Sequence, residues 1–169
     1  GVSLFALQLA QAQGARVIAT SSSPEKLAKL QALGADGVIN YREVPEWGKA
    51  VLGLTDGLGA DLVVEVGGAD TIAQSMRATR ADGNMALIGN VGGSIAEVNL
   101  PLVFMFRKRM IGISTGSVTD FGDMMAFLDK KTDFHPALDG HIYDFDGLSE
   151  ALQALPKGQH FGKIALRVG

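Results

Sequence analysis

Apolar residues along the chain switch repeatedly between the three-to-four spacing of helices and short β-branched runs. One unit recurs three times: a helical segment, Gly-Ala, then a β-branched run. It occurs as Gln13-Gly14-Ala15-Arg16-Val17-Ile18, as Leu33-Gly34-Ala35-Asp36-Gly37-Val38-Ile39, and as Leu58-Gly59-Ala60-Asp61-Leu62-Val63-Val64. Glycine just past a helix takes the left-handed conformation that ends it, so each unit predicts a helix stop followed by a strand. Gly14 to Gly34 is 20 residues and Gly34 to Gly59 is 25, one strand plus one helix each. Strands alternating with helices in this way predict a parallel sheet covered on both faces, a three-layer doubly wound α/β architecture.

The individual elements follow. Residues 2–13 predict a helix with few polar positions (Ser3, Gln8, Gln11, Gln13), buried on most sides. After a strand at 16–20, Ser23-Pro24 reads as N-cap and first-turn proline of a helix that turns Leu27, Leu30 and Leu33 inward. A strand at 37–40 and a helix near 46–54 precede the strand 61–66, whose run Leu62-Val63-Val64 suits burial on both faces. A helix at 70–79 is expected to bury Ile72, Ala73 and Met76, followed by strands at 84–88 and 110–114. Phe121, Met124, Met125 and Leu128 form one stripe of the next helix. Asp146 is expected to cap a last helix with Leu148, Ala151, Leu152 and Leu155 on one face, and the final strand is 163–168. No linker composition interrupts the series, so residues 1–169 read as one domain.

Composition narrows the function classes. The chain has 169 residues, 47% apolar, 22 of them glycine, with a net charge of −3. A nucleic-acid or anionic-membrane partner is not expected from that charge, and the partner expected is a small-molecule substrate. The absence of cysteine excludes disulfides and thiolate metal sites and fits a cytoplasmic location. No apolar run is long enough to span a bilayer.

A dinucleotide-binding fold opens with a strand, a glycine-rich turn and a helix whose amide N–H groups face the pyrophosphate. Here the first helix follows Gly1-Val2 at once, so the chain reads as entering inside its own phosphate loop, lacking the first strand. Gly1-Val2-Ser3-Leu4-Phe5-Ala6, Val17-Ile18-Ala19-Thr20-Ser21-Ser22-Ser23-Pro24-Glu25-Lys26-Leu27, Leu33-Gly34-Ala35-Asp36 and Ile39-Asn40-Tyr41-Arg42 follow one another in order. So do Val64-Glu65-Val66-Gly67-Gly68, Leu87-Ile88-Gly89 and His160-Phe161-Gly162-Lys163-Ile164. The series resembles the cofactor-binding half of the medium-chain dehydrogenases/reductases, which include zinc alcohol dehydrogenases and quinone oxidoreductases. The resemblance runs the length of the chain and implies a Rossmann domain, hydride transfer to or from an alcohol, aldehyde, ketone or quinone, and Gly1 and Val2 at the cofactor.

The cofactor preference has a physical basis. An NAD-selective site ends its second strand in an acid that accepts from the ribose 2′-hydroxyl, and such an acid repels a 2′-phosphate. Here the strand ends in Thr20-Ser21-Ser22-Ser23, with no acid before Glu25, and Lys26 lies one helical turn onward to supply charge. Ser21, Ser22 and Lys26 therefore point to NADP(H), while NAD(H) stays open. The alternative is that Ser22 or Ser23 merely caps the helix and Lys26 is solvated, although a serine can both cap and bind. The resemblance adds Tyr41 beside the adenine and Lys26 as the 2′-phosphate partner. Val66-Gly67, Gly68 and Ile88-Gly89 follow two strands at their carboxyl ends, where glycine allows close backbone approach to a ligand; the alternative is ordinary turn glycines. By resemblance, Ser114 and Thr115 border the nicotinamide or pyrophosphate, and Lys163 lies near the cofactor, the alternative for Lys163 being a solvated strand-start lysine.

No catalytic residue or metal ligand is identified. His135, His141 and His160 are scattered, Asp61 and Glu65 make no acid pair, and Trp47 reads as packing. Zinc enters only if a segment preceding Gly1 supplies its ligands, and this segment alone is expected to be inactive. Without the central first strand, residues 1–169 alone are also expected to be unstable. Two alternatives remain: a non-catalytic dinucleotide-binding structural or regulatory protein, and another Rossmann-like enzyme such as a methyltransferase. The resemblance further implies a homodimer through the sheet edge near 110–114.

Overall fold

The computed structural model describes residues 1–131 and 134–169. In chain order its elements are α1 (Val2–Ala12), β1 (Ile18–Ser21), α2 (Pro24–Ala32), β2 (Gly37–Asn40), α3 (Trp47–Leu54), β3 (Ala60–Glu65), α4 (Ile72–Ala78) and β4 (Thr79–Leu87). There follow α5 (Leu100–Phe104), β5 (Arg109–Gly112), α6 (Val118–Leu128), β6 (Leu138–Asp144), α7 (Leu148–Ala154) and β7 (Lys163–Arg167). Contacts gather into two compact units, Arg16–Met125 and Gly1–Ala15 with Ala126–Gly169, although no linker composition marks either junction.

The repeated Gly-Ala unit sets the local architecture. Gly14, Gly34 and Gly59 all take positive φ (80°, 100° and 94°), so each ends its turn in the conformation that glycine alone adopts without strain. At the second repeat the Asp36 carboxylate accepts from the Val17 amide at 2.7 Å, tying the end of one β-α unit to the start of the strand before it.

In the larger unit β1 and β2 form one parallel pair, and β3, β4 and β5 form a parallel sheet in that order. The α/β alternation is thus realised with parallel strands throughout. The core holds the strands from both groups without a hydrogen bond between the groups. Ile39, Trp47, Val51 and Ala78 are buried together, with Ile18 of β1 and Val63 of β3 packed against them. A second cluster of Ile72, Met76 and Met85 takes in Val98, Leu102 and Met110. Trp47 is packing, as its place in an amphipathic helix predicts.

The smaller unit holds α1, α7 and the parallel pair β6–β7. Strand β6 and helix α5 have no counterpart among the sequence expectations: β6 carries Asp139, Gly140 and His141, which break the β-branched pattern, and α5 has only five residues.

Other expectations are corrected. Only Leu4 and Leu7 of α1 are buried, because packing in its unit reaches one face of the helix. Leu62 is 55% exposed, so β3 is not covered on both faces along its length. Ala73 is exposed, and Ser75 and Ala78 fill the buried face of α4 instead. Asp146 lies in a one-turn 3₁₀ segment, Phe145–Gly147, and α7 (Leu148–Ala154) has Gly147 as its N-cap and no side-chain cap.

Candidate functional site

Three groups of residues carry the site expectations. The first is the carboxyl end of β1. Ser21 pairs with Asn40 of β2 in parallel register. The chain past β2 returns to the same place, where the Tyr41 amide donates to the Ser21 carbonyl at 3.2 Å. Tyr41 is thereby held beside Ser21, 40% exposed. The Ser21 hydroxyl accepts from the Ser23 amide at 3.4 Å, and the Ser23 hydroxyl accepts from the Lys26 amide at 3.3 Å, so Ser23 is the serine that caps α2. Ser21, Ser22 and Lys26 are each partly exposed. The structure therefore brings Ser21, Ser22, Lys26 and Tyr41 to one strand end. Arg42, which follows Tyr41 in the same turn and is exposed, is a second cation there. The sequence signal for it was its place next to Tyr41.

The second group lies at the carboxyl ends of β3, β4 and β5. Glu65, Leu87 and Gly112 stand opposite one another in the parallel register. Beyond them, the Ile88 and Gly89 amides donate to the Glu65 carbonyl (2.9 and 3.3 Å), and the Ile113 amide donates to the Leu87 carbonyl at 2.9 Å. Val66, Gly67, Ile88 and Gly89 thus share one edge, and Ser114 and Thr115 extend from it, exposed. The glycines are required by packing between the two turns. A Cβ on Gly89 would meet the Val66 carbonyl oxygen at 2.6 Å, and one on Gly68 (φ 77°) would meet the Gly93 carbonyl oxygen at 2.5 Å. Glu65, not among the expected site residues, is 3% exposed beneath this edge. The sequence offered only an acid closing an apolar strand, which does not distinguish a buried acceptor from a solvated one.

The third group is in the smaller unit. Gly1 is the N-cap of α1 and supplies no side-chain acceptor to the first-turn amides, and Val2 is 48% exposed. Gly1, His160 and Lys163 line one depression of about 290 Å³ with Leu148, Leu152 and Leu166. The Lys163 ammonium stands 5.9 Å from the Phe5 ring centroid, near the start of the same helix. His160 Nδ1 is buried and has no hydrogen-bond partner among the described residues.

The Ser21 and Ser22 hydroxyls and the Lys26 side chain supply donors that suit a nucleotide phosphate, and the close-packed glycine turns lie at strand carboxyl ends, where ligands sit in open α/β sheets. Zinc has no comparable fit. No group of three or more His, Cys, Asp or Glu that could hold a metal occurs among the described residues. Nor is any helix among them long and apolar enough to cross a membrane.

Comparison with known proteins identifies the family. Residues 1–130 match the family model described as zinc-binding dehydrogenase. A zinc-type alcohol dehydrogenase-like protein of Schizosaccharomyces pombe is 41% identical over 99% of this chain and 49% of its own length. A quinone oxidoreductase of Pseudomonas aeruginosa is 37% identical over 79% of this chain and 40% of its own. The crystal structure of an NAD-dependent alcohol dehydrogenase superposes with a TM-score of 0.84 at 35% identity, covering 100% of this chain and 48% of that one. The chain therefore spans about half the length of the curated relatives it matches.

Proposed function

The chain belongs to the zinc-binding dehydrogenase family, and from that premise we propose that residues 1–169 are the NADP(H)-holding domain of an oxidoreductase acting on an alcohol or aldehyde, a ketone or a quinone. The observation that carries the cofactor choice is the end of β1. Thr20, Ser21, Ser22 and Ser23 present hydroxyls where an NAD-selective site presents a carboxylate, with Lys26 in the first turn of α2 beside them. A hydroxyl and an ammonium group favour a 2′-phosphate, and no acid in that stretch repels it.

When bound, the cofactor supplies a hydride donor or acceptor at the nicotinamide ring. The protein's own residues hold and orient it. Ser21, Ser22 and Lys26 would hold the adenosine 2′-phosphate, and Tyr41 would stand beside the adenine. Val66, Gly67, Ile88 and Gly89 would hold the nicotinamide, with Ser114 and Thr115 bordering it. The chemistry on the substrate belongs to residues outside this domain. The outer edge of β5, which ends its sheet, is the proposed homodimer contact.

The test is the affinity of the full-length protein for NADPH and NADH. NADPH is expected to bind at least about tenfold more tightly, a difference of about 1.4 kcal/mol. Equal affinities overturn the preference. NAD(H) is the second reading, and the likeness to the NAD-dependent alcohol dehydrogenase is the observation that favours it.

A further inference from the structure

We propose that Glu65 is a positioning residue for the nicotinamide turns, holding Val66–Gly68 and, through that turn, Gly89–Gly93 in the one arrangement that presents their backbone to the cofactor ring. The proposal rests on the assignment of those turns to the nicotinamide made above.

Glu65 closes β3 and is 3% exposed. Its Oε1 accepts from the Gly67 amide at 2.7 Å, the Gly68 amide at 2.9 Å and the Thr71 hydroxyl at 2.5 Å. Its Oε2 accepts from the Ser75 hydroxyl in a short contact. A carboxylate out of water is costly unless its oxygens are satisfied, and here four donors converge on it. Where the chain turns from β3 into α4, the Gly67 and Gly68 amides are bonded by this side chain, and Thr71 and Ser75 add donors from the start and middle of the helix.

The turn so fixed is locked to its neighbour. The Gly92 amide donates to the Gly67 carbonyl at 2.6 Å, the Ala69 amide to the Gly93 carbonyl at 2.9 Å, and the Val91 amide to the Val66 carbonyl at 3.3 Å. A Cβ at Gly92 would meet the Asp70 carboxylate at 2.5 Å, and those at Gly68 and Gly89 would strike backbone of the opposite turn. Two turns meshed this closely move together. Freeing Gly67 and Gly68 from the carboxylate therefore displaces Gly89–Gly93 as well. A displacement of about 1 Å at a reacting centre is enough to cost roughly a hundredfold in rate. A side chain that only filled space at the end of an apolar strand would need none of these four bonds.

The experiment uses the full-length protein with two probes, NADPH and 2′,5′-ADP, the second lacking the nicotinamide half. In Glu65→Ala, NADPH is expected to weaken by about tenfold or more while 2′,5′-ADP changes by less than about twofold, and the emission of bound NADPH shifts toward that of the free cofactor. Glu65→Gln keeps an oxygen for Gly67 and Gly68, and the Ser75 hydroxyl can reverse to meet its amide, so this variant restores most of the NADPH affinity. If Glu65→Ala does not fold, Thr71→Val and Ser75→Ala each remove one donor from an intact carboxylate and carry the same expectation with a smaller change. Equal weakening of both probes, or no change in either, overturns the positioning role. A wild-type protein that binds neither probe overturns the cofactor assignment itself, and the inference with it.

Discussion

Arg107 and Asp82 form a two-pronged ion pair between residues that both have left-handed backbone. The Arg107 guanidinium donates from Nε at 2.8 Å and Nη2 at 2.6 Å, and φ is 59° at Asp82 and 50° at Arg107. The Asp82 amide also donates to the Phe106 carbonyl at 2.9 Å, so backbone and side chains fasten the same two turns, one before β5 and one within β4. Aspartate tolerates the left-handed region better than most residues, which fits its use at the irregular position of β4.

Asp82→Ala should therefore lower the melting temperature more than Asp82→Gly, because alanine loses the pair and keeps the backbone strain while glycine relieves it. Thermal melts of the two variants side by side check this, and equal losses would contradict it. The hydrogen bond from Arg107 holds the Asp82 carboxyl below its usual value of 3.8. A depressed carboxylate contributes stability that is present above its unfolded value and is lost as pH falls through its folded one. The stability difference between wild type and Asp82→Asn should thus shrink as the pH drops below 3.8.

Lys108 gives the same sign at the alkaline end of the scale. It is buried, and its ammonium donates to the Thr79 carbonyl at 2.6 Å and, in a short contact, to the Met76 carbonyl at the end of α4. Burial lowers its proton affinity below the usual 10.5. Between the folded and unfolded values the unfolded chain binds more protons, so stability rises with pH in that window. Wild type should gain on Lys108→Met as the pH climbs toward 10.5 in denaturant titrations. At neutral pH the same substitution leaves two buried carbonyls short of a donor, an expected loss of about 1–3 kcal/mol.

Gly48 marks where α3 meets α4. Its amide donates to the Gln74 side chain at 3.0 Å, and a Cβ there would meet the Gln74 carbonyl oxygen at 2.6 Å and the Arg77 Cβ at 2.8 Å. Gly48→Ala should separate the two helices and destabilise by about 1–3 kcal/mol despite the better helix propensity of alanine. A denaturation midpoint at or above that of wild type would show that the helices part at no cost.

At the cofactor, Lys26→Ala should weaken NADPH by roughly ten- to a hundredfold, the worth of about one charged hydrogen bond, and leave NADH nearly unchanged. Ser21→Asp should reverse the preference, since a carboxylate there accepts from a ribose hydroxyl and repels a phosphate. Competitive titration of both cofactors against each variant measures the switch. A Lys26→Ala protein that loses NADH and NADPH affinity equally would place the lysine away from the 2′ position.

The Gly-Ala repeat, the β-branched runs and the Ser23-Pro24 helix start are local signals, set by the few dihedral choices that each residue type allows. They made the alternating α/β architecture, the helix stops at Gly14 and Gly34 and the cap of α2 readable from the sequence, whereas the third helix stops before its Gly59, at Leu54, with Asp56 and Gly57 turning the chain. Residues at strand ends could likewise be listed from order alone, because a parallel sheet puts every strand's carboxyl end on one side. What order could not supply was the company each residue keeps. Whether Glu65 is a solvated acid or a buried acceptor depends on Gly67, Gly68, Thr71 and Ser75 folding back over it. Whether Leu62 and Ala73 are covered depends on which neighbours reach them, and hydrophobicity does not record that. The pairing of Tyr41 with Ser21 and the lock between the two glycine turns arise between segments far apart in the chain. Only packing in three dimensions brings those groups within hydrogen-bond range.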